Sequence, residues 1–152
     1  MAISVTGLDE LRMLSGRDLG VSDWLEITQA RVNTFADATD DHQWIHVDPE
    51  RAKLGPFGGP IAHGYLTLSL MIPLFNELLD IQGVTMSINY GMEKVRFPSP
   101  VLVGSKVRLQ AYVTSVEDVK GNGVQMNMSF TIEIDGSEKP ACVAQVIYRH
   151  YA

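Results

Sequence analysis

The chain has 152 residues, of which 45% are hydrophobic and 20% charged, and its formal net charge at pH 7 is -6. This length and composition indicate a single globular domain over residues 1–152 and exclude an intrinsically disordered or fibrous protein. The acidic balance argues against a nucleic-acid partner, because binding phosphate groups requires a concentration of Lys and Arg.

The cysteine count and the hydropathy pattern favour a cytoplasmic protein. Cys142 is the one cysteine, so an internal disulfide is excluded and a reducing compartment is expected. The first residues lack the basic and long apolar segments of a signal peptide. The most apolar stretch, residues 65–79, is shorter than the roughly 20 apolar residues that cross a bilayer, so we expect no membrane partner.

The first half of the chain carries the signals of helices joined by irregular segments. Each predicted helix follows a residue type that is preferred at the N-cap, and proline occupies the first helical position of one of them. Clusters of Gly and Pro indicate loops. The predicted elements are helices over residues 8–14, 28–38 and 49–55, capped by Thr6, Thr28 and Asp48, a short strand over 23–27, and irregular segments over 40–47 and 55–60.

Residues 65–79 predict the central element of the fold. Large apolar side chains occur on nearly every side of the helical wheel, which is typical of a buried helix. Pro73 is expected to kink this helix, because proline removes one backbone hydrogen bond and its ring clashes with the preceding turn.

The second half of the chain has the pattern of β-strands. The predicted strands cover residues 85–90, 101–103, 106–116, 124–134 and 141–148. Turn signals at residues 120–123 and 135–136 indicate that the last three strands form an antiparallel meander. A buried helix followed by such strands predicts an α+β architecture, the hot-dog fold, in which an antiparallel sheet wraps around the helix. The open edge of that sheet favours a dimer.

Titratable residues concentrate between residues 35 and 64. Asp41 and His46 form the pair best suited to chemistry, since a bend at Gln43-Trp44 can bring the carboxylate and the imidazole to one point. There they could hold and activate a water molecule. The alternative is structural: Asp41 caps a turn, and His46 is a partly buried hydrogen-bonding residue.

Other kinds of site are less well supported by this segment. The histidine spacings form no standard metal-ligand set, so we expect no metal. A serine-hydrolase elbow and a Walker-type phosphate loop are both missing from the sequence. Gly64 opens the buried helix, and its backbone N–H could bind a carbonyl oxygen as negative charge develops there. Ordinary loop-to-helix geometry is the alternative reading of this glycine.

The spacing of these residues is specific. Along the chain it reads Phe35-Ala36, Asp41, Ile45-His46 and Ile61-Ala62-His63-Gly64, and continues through Asn89-Tyr90-Gly91, Val95-Arg96-Phe97-Pro98 and Val101-x-Val103-Gly104. This pattern resembles the MaoC-like dehydratase family, which includes R-specific enoyl-CoA hydratases. The sequence departs from the family pattern in two places: Asp40 stands where Gly is frequent, and Gln43-Trp44 stands where Asn-Pro is frequent. Asp40 adds a negative charge beside the candidate pair.

The resemblance implies a function and a site. Asp41 and His46 would be the catalytic dyad, and the Gly64 N–H would contact the thioester carbonyl. The implied protein is a homodimeric hydro-lyase that needs no metal or redox cofactor. Its reaction would be reversible hydration of a trans-2-enoyl group, linked to CoA or to acyl-carrier protein, to the (R)-3-hydroxyacyl thioester. There are two alternatives of the same fold: a thioesterase, and a non-catalytic acyl-thioester-binding protein.

Overall fold

The computed structural model describes residues 2–152 of the chain. Helices occupy the first half of this range and long strands the second. In chain order the elements are β1 (Ile3–Thr6), α1 (Gly7–Arg12), β2 (Asp18–Val21), β3 (Leu25–Glu26), α2 (Gln29–Thr39), α3 (Trp44–Val47), α4 (Pro49–Lys53), α5 (Gly64–Ser69), α6 (Met71–Leu78), β4 (Leu79–Gln82), β5 (Met86–Arg96), β6 (Lys106–Val119), β7 (Gly123–Ile134) and β8 (Cys142–Tyr151).

The main sheet is antiparallel and is built on the predicted meander. Its strand order is β2-β6-β7-β8-β5, and β3 pairs with β6 beside β2. Alternate residues of β6 point inward: Val107, Leu109, Ala111 and Val113 are fully buried. A separate parallel pair is formed by β1 and β4.

The sheet wraps around α5 and α6, which confirms the predicted hot-dog fold. On α6, Met71, Leu74 and Phe75 are almost fully buried. The Phe75 ring lies 5.5 Å from Phe130 on β7 and 5.4 Å from Tyr148 on β8. Each such side chain stabilises the fold by about 1.5–3 kcal/mol through removal of apolar surface from water.

The predicted kink in the central helix lies three residues before Pro73. The helix is interrupted at Leu70, and α6 begins at Met71. Proline has no N–H, so it cannot satisfy the carbonyl of the residue four positions earlier, which is Ser69. The interruption therefore falls where the helical hydrogen bond is missing. The prediction that the helix reaches residue 79 is wrong, because Leu79 begins β4.

Several other predicted elements differ from those in the structure. Residues 101–103 are not a strand; they make only an isolated bridge between Leu102 and Ile61. The segment 40–47, predicted to be irregular, contains the single helical turn α3. The sequence pattern also missed β1, β2 and β4, which are four residues long and depend on partners distant in sequence.

The N-caps show which local predictions hold in detail. Thr28 accepts a hydrogen bond from the Arg31 N–H, and Asp48 accepts one from the Arg51 N–H. Thr6 makes no such bond with its side chain. Within residues 2–152, we find no helix whose length and apolar character would let it traverse a bilayer.

Candidate active site

The candidate site is assembled where α2 ends, α3 turns and α5 begins. Asp40 follows α2 with a left-handed backbone, φ 57°. Asp tolerates this conformation better than most residues other than Gly, so the turn can be made here without a glycine. The side chain of Asp40 is exposed, while the next residue, Asp41, reaches a cavity of about 200 Å³. The cavity is lined by Asp41, His46, His63, Gly64, Tyr65 and Phe97.

His46 is held in one orientation by a hydrogen bond to the backbone carbonyl of Ile61. It lies on α3 and is 6% exposed. Its Nδ1–H donates to the Ile61 carbonyl oxygen at 2.7 Å, which leaves Nε2 unprotonated in the neutral ring. Burial lowers the pKa of His46 below 6.5, and the neighbouring His63 acts in the same direction, against the opposing effects of the Ile61 carbonyl and Asp41. His46 is therefore neutral at pH 7 and can accept a proton.

His63 supports both members of the predicted pair. Its ring stacks on His46 with 3.8 Å between centroids. Its Nε2–H donates to the backbone carbonyl of Asp41 at 2.9 Å, so it ties the Asp41 segment to the start of α5. Phe35 of α2 packs against the other side, 4.9 Å away. His63 thus connects α2, the Asp41 loop and α3 at one point.

Asp41 is the accessible member of the group. Its side chain is 52% exposed, and one carboxylate oxygen lies 4.0 Å from His63 Nε2. The neighbouring His42 turns away from the cavity and pairs with Asp37 at the surface, at 2.9 Å. The structure therefore brings Asp41 and His46 to one cavity, with Asp41 towards solvent and His46 at the buried end.

Gly64 is the first residue of α5, so its N–H has no acceptor within the helix. A Cβ placed on Gly64 would lie 3.4 Å from three carbons of the Phe97 ring. The Phe97 ring, which follows β5, therefore lies beside the start of the helix, at a distance where even a Cβ on Gly64 would make only ordinary contact. Gly64 and Phe97 both line the cavity that Asp41 and His46 share.

Asp41, His46 and His63 also carry the atom types that bind metal ions. Potential ligand atoms of Asp41, His46 and His63 lie within 4.8 Å of one another. However, each imidazole already bonds a backbone carbonyl through one nitrogen, and the two rings are stacked with 23° between their planes. Lone pairs of stacked rings run side by side instead of converging on one ion. The geometry suits proton transfer better than metal coordination.

Three lining residues were not predicted as parts of the site. His63 is 2% exposed, and the sequence signal for it is its place in the motif Ile61-Ala62-His63-Gly64. Tyr65 was assigned to the apolar helix, yet it is 72% exposed. Phe97 lies 33 residues beyond Gly64 along the chain. Its contact with that glycine is a tertiary one, which no local pattern indicates.

The chain was compared with known proteins. Residues 12–133 match the family described as MaoC like domain. The chain is 54% identical over 143 residues to 3-hydroxyacyl-thioester dehydratase Z of Mycobacterium tuberculosis. The matched region covers 94% of this chain and 95% of that protein. It is 44% identical over 142 residues to Nodulation protein N of Rhizobium meliloti, covering 92% and 88%.

A solved structure agrees with these relatives. The (R)-hydratase from A. caviae superposes with a TM-score of 0.69 and 26% identity, covering 88% of this chain and 94% of that one. The shared architecture is the sheet wrapped around a central helix, and the matched family spans most of the chain, including the segment from Asp41 to Gly64. The chain belongs to the MaoC-like dehydratase family.

Proposed function

We propose that this protein catalyses reversible hydration of a trans-2-enoyl thioester to the (R)-3-hydroxyacyl thioester. The observation that carries the proposal is the convergence of Asp41, His46 and Gly64, the first residue of α5, on the lining of one small cavity. A relative named as a 3-hydroxyacyl-thioester dehydratase and a structural neighbour named as an (R)-hydratase support the same chemistry.

The proposed step is addition of one water molecule across the C2–C3 double bond. Asp41 and His46 hold the water, and its oxygen bonds to C3 while the dyad takes up one of its protons. The electron pair of the double bond moves towards the thioester carbonyl, forming an enolate. The dyad then returns a proton to C2, so the atoms of one water are added and the enzyme is regenerated. Dehydration follows the same path in reverse.

The backbone at Gly64 is proposed to stabilise the enolate. Its N–H is the first of α5 and has no partner within the helix. A donor aimed at the carbonyl oxygen strengthens its hydrogen bond as negative charge develops, which lowers the barrier selectively. No metal or redox cofactor takes part in the proposed reaction. The acyl group is carried as its CoA or acyl-carrier-protein thioester.

Crotonyl-CoA distinguishes the proposal from its alternatives. We expect the absorbance of the enoyl thioester to fall without release of free thiol, and the product to be (R)-3-hydroxybutyryl-CoA. Release of free thiol would identify a thioesterase. Binding without either change would identify a non-catalytic acyl-thioester-binding protein, and both of those results would contradict the proposed hydration.

The protonation of His46 predicts one feature of the pH profile. Because burial keeps the pKa of His46 below 6.5, the active neutral form is retained at pH 7 and is lost only on acidification below that value. We expect kcat/KM to fall at pH values below 6.5. Measurement from pH 4.5 to 8 in buffers of constant ionic strength tests this, and a fall centred above pH 6.5 would contradict the assigned environment of His46.

A homodimer is proposed from the exposed edge of the sheet. Strand β5 ends the main sheet, and every residue in it except Val95 is exposed. Its apolar side chains include Ile88 and Met92, each 39% exposed. An edge that combines free backbone groups with apolar side chains is suited to pairing with a second copy, which would lie antiparallel to it.

Sedimentation tests the proposed dimer. We expect a mass near twice the 16.8 kDa of the chain. Met92→Lys places a charge on the edge strand and is expected to shift the protein towards monomer. Met13→Lys is the matched control, because Met13 is 79% exposed in the turn after α1, away from β5 in the chain. An unchanged dimer in Met92→Lys would contradict pairing through β5.

A further inference from the structure

The candidate active site is adjacent to a second, mainly apolar cavity. This second cavity has a volume of about 320 Å³ and lies between the loop before α5 and the segment after β5. Its lining includes Ile61, Ala62, Val101 and Ala141, all of which are otherwise buried in the protein. Its composition suits a hydrocarbon chain better than a charged ligand.

Phe97 separates the second cavity from the catalytic one. Gly64 and Phe97 are the two residues that line both. Gly64 contributes only backbone at this point, and the Phe97 ring lies 3.4 Å from the position that a Cβ on Gly64 would occupy. Phe97 is therefore the one side chain that the two linings share. That side chain is 41% exposed and belongs to no helix or strand.

We infer that Phe97 determines the acyl-chain length that the enzyme accepts, by closing the apolar cavity to the tail of the substrate. This inference rests on the proposed hydratase function. With the ring in place, an acyl tail longer than the reacting carbons has no enclosed apolar space on this side. With the ring removed, the tail can pass Gly64 and enter the cavity lined by Ile61 and Val101. Short enoyl thioesters are therefore the preferred substrates of the natural sequence.

The size of the effect follows from apolar burial. Each additional methylene group that enters an apolar cavity improves binding by roughly fourfold. The cavity beyond Phe97 can take up several such groups, so the discrimination between a four-carbon and an eight-carbon acyl chain is the sensitive quantity. A change in the general quality of the site would lower both rates together and leave their ratio unchanged.

The test compares Phe97→Ala with the natural sequence on crotonyl-CoA and trans-2-octenoyl-CoA. We expect the ratio of kcat/KM for octenoyl-CoA to that for crotonyl-CoA to rise at least about tenfold in Phe97→Ala. Phe57→Ala is the matched control, because Phe57 is 40% exposed and lines neither cavity. Its ratio is expected to equal that of the natural sequence.

Two further variants make the test decisive. Phe97→Leu removes less of the ring, and we expect an intermediate rise in the ratio even if Phe97→Ala folds poorly. Ser99→Leu, added to either variant, places a larger side chain on the lining of the second cavity and should restore the preference for crotonyl-CoA. An unchanged ratio in both Phe97 variants, or a rise that Ser99→Leu does not reduce, would overturn the inference.

Binding provides a readout that does not depend on turnover. Butyryl-CoA and octanoyl-CoA are saturated and cannot be hydrated, so calorimetry reports their dissociation constants directly. We expect Phe97→Ala to strengthen octanoyl-CoA binding relative to butyryl-CoA. If the natural sequence hydrates crotonyl-CoA but this shift is absent, only the role of Phe97 is wrong. If it hydrates no enoyl thioester, the proposed function and the inference both fail.

Discussion

Replacing Asp41 with Asn is expected to lower kcat for hydration of crotonyl-CoA by roughly 10²–10⁴-fold, the contribution typical of a positioned acid or base. The amide has nearly the shape of the carboxylate, so the half-exposed position should accommodate it without loss of stability. What it loses is the negative charge that favours the protonated form of His46 and, in the proposed reaction, orients the water. Steady-state kinetics, combined with a thermal unfolding curve, separates this loss from misfolding.

Asp40→Asn is the matched control for Asp41→Asn. It makes the same chemical change one residue earlier, and Asn also tolerates the left-handed backbone found there. Because the side chain of Asp40 does not line the cavity, we expect kcat within about threefold of the natural value, a shift below 1 kcal/mol in barrier. Equal losses in the two variants would show that a general loss of negative charge, and not Asp41, is responsible.

His46→Gln completes this test. A loss comparable to that of Asp41→Asn is expected, since an amide cannot take up a proton from water. If the two residues act on one water molecule, the double variant should be little slower than either single variant, because groups that act as a unit are not additive. Full activity in either single variant would contradict the assigned dyad.

Acidification is expected to destabilise the folded protein through His150, a buried histidine far from the dyad in sequence. His150 is 2% exposed on β8, and its Nδ1 shares a hydrogen bond with the Ser87 hydroxyl at 2.8 Å. Its Nε2 has no partner among the described residues. Burial lowers the pKa of His150 from 6.5 to about 4. A charge on this ring would be enclosed without a counter-ion.

The direction in which pH changes the folding stability follows from the difference in proton binding between the folded and the unfolded chain. Between pH 6.5 and about 4 the unfolded chain binds a proton at this histidine and the folded chain does not, so stability falls as the pH falls. Over the whole interval the loss is about 3 kcal/mol. Above pH 6.5 both states are neutral and the histidine contributes no pH dependence.

Urea unfolding at pH 7 and pH 4.5 tests this contribution. We expect the loss of unfolding free energy on acidification to be smaller in His150→Gln than in the natural sequence, by about 2–3 kcal/mol. His42→Gln is the control, because His42 is a half-exposed surface residue paired with Asp37. If His150→Gln and the natural sequence lose the same stability, the buried histidine is not the acid-sensitive group.

Local sequence signals predicted the parts of the fold that depend on neighbouring residues. The caps at Thr28 and Asp48, the buried helix and the β6–β7–β8 meander follow from residue types a few positions apart. The short strands β1 and β4 carry no comparable signal, because each is a strand only through its pairing with the other, about 75 residues away in the chain.

The candidate site likewise combines residues that are close in the sequence, which were predicted, with long-range contacts, which were not. Asp41 and His46 were predicted together because they are five residues apart, although the connection is a turn of helix and not the expected bend. The bond between His63 and the Asp41 carbonyl joins residues 22 positions apart. The contact between Gly64 and Phe97 spans the whole central helix and β5. Such contacts are set by how the sheet closes on the helix, which motif spacing does not encode.

The left-handed residue after α2 has a consequence for how related enzymes can diverge. Position 40 must turn the chain, and Gly, Asn and Asp can all do so, yet only Asp adds a charge one residue from Asp41. The backbone requirement and the electrostatic contribution are thus independent at this site. A lineage could exchange these residues to make small changes in the charge beside the proposed dyad, of the size expected for Asp40→Asn, without altering the turn that places Asp41.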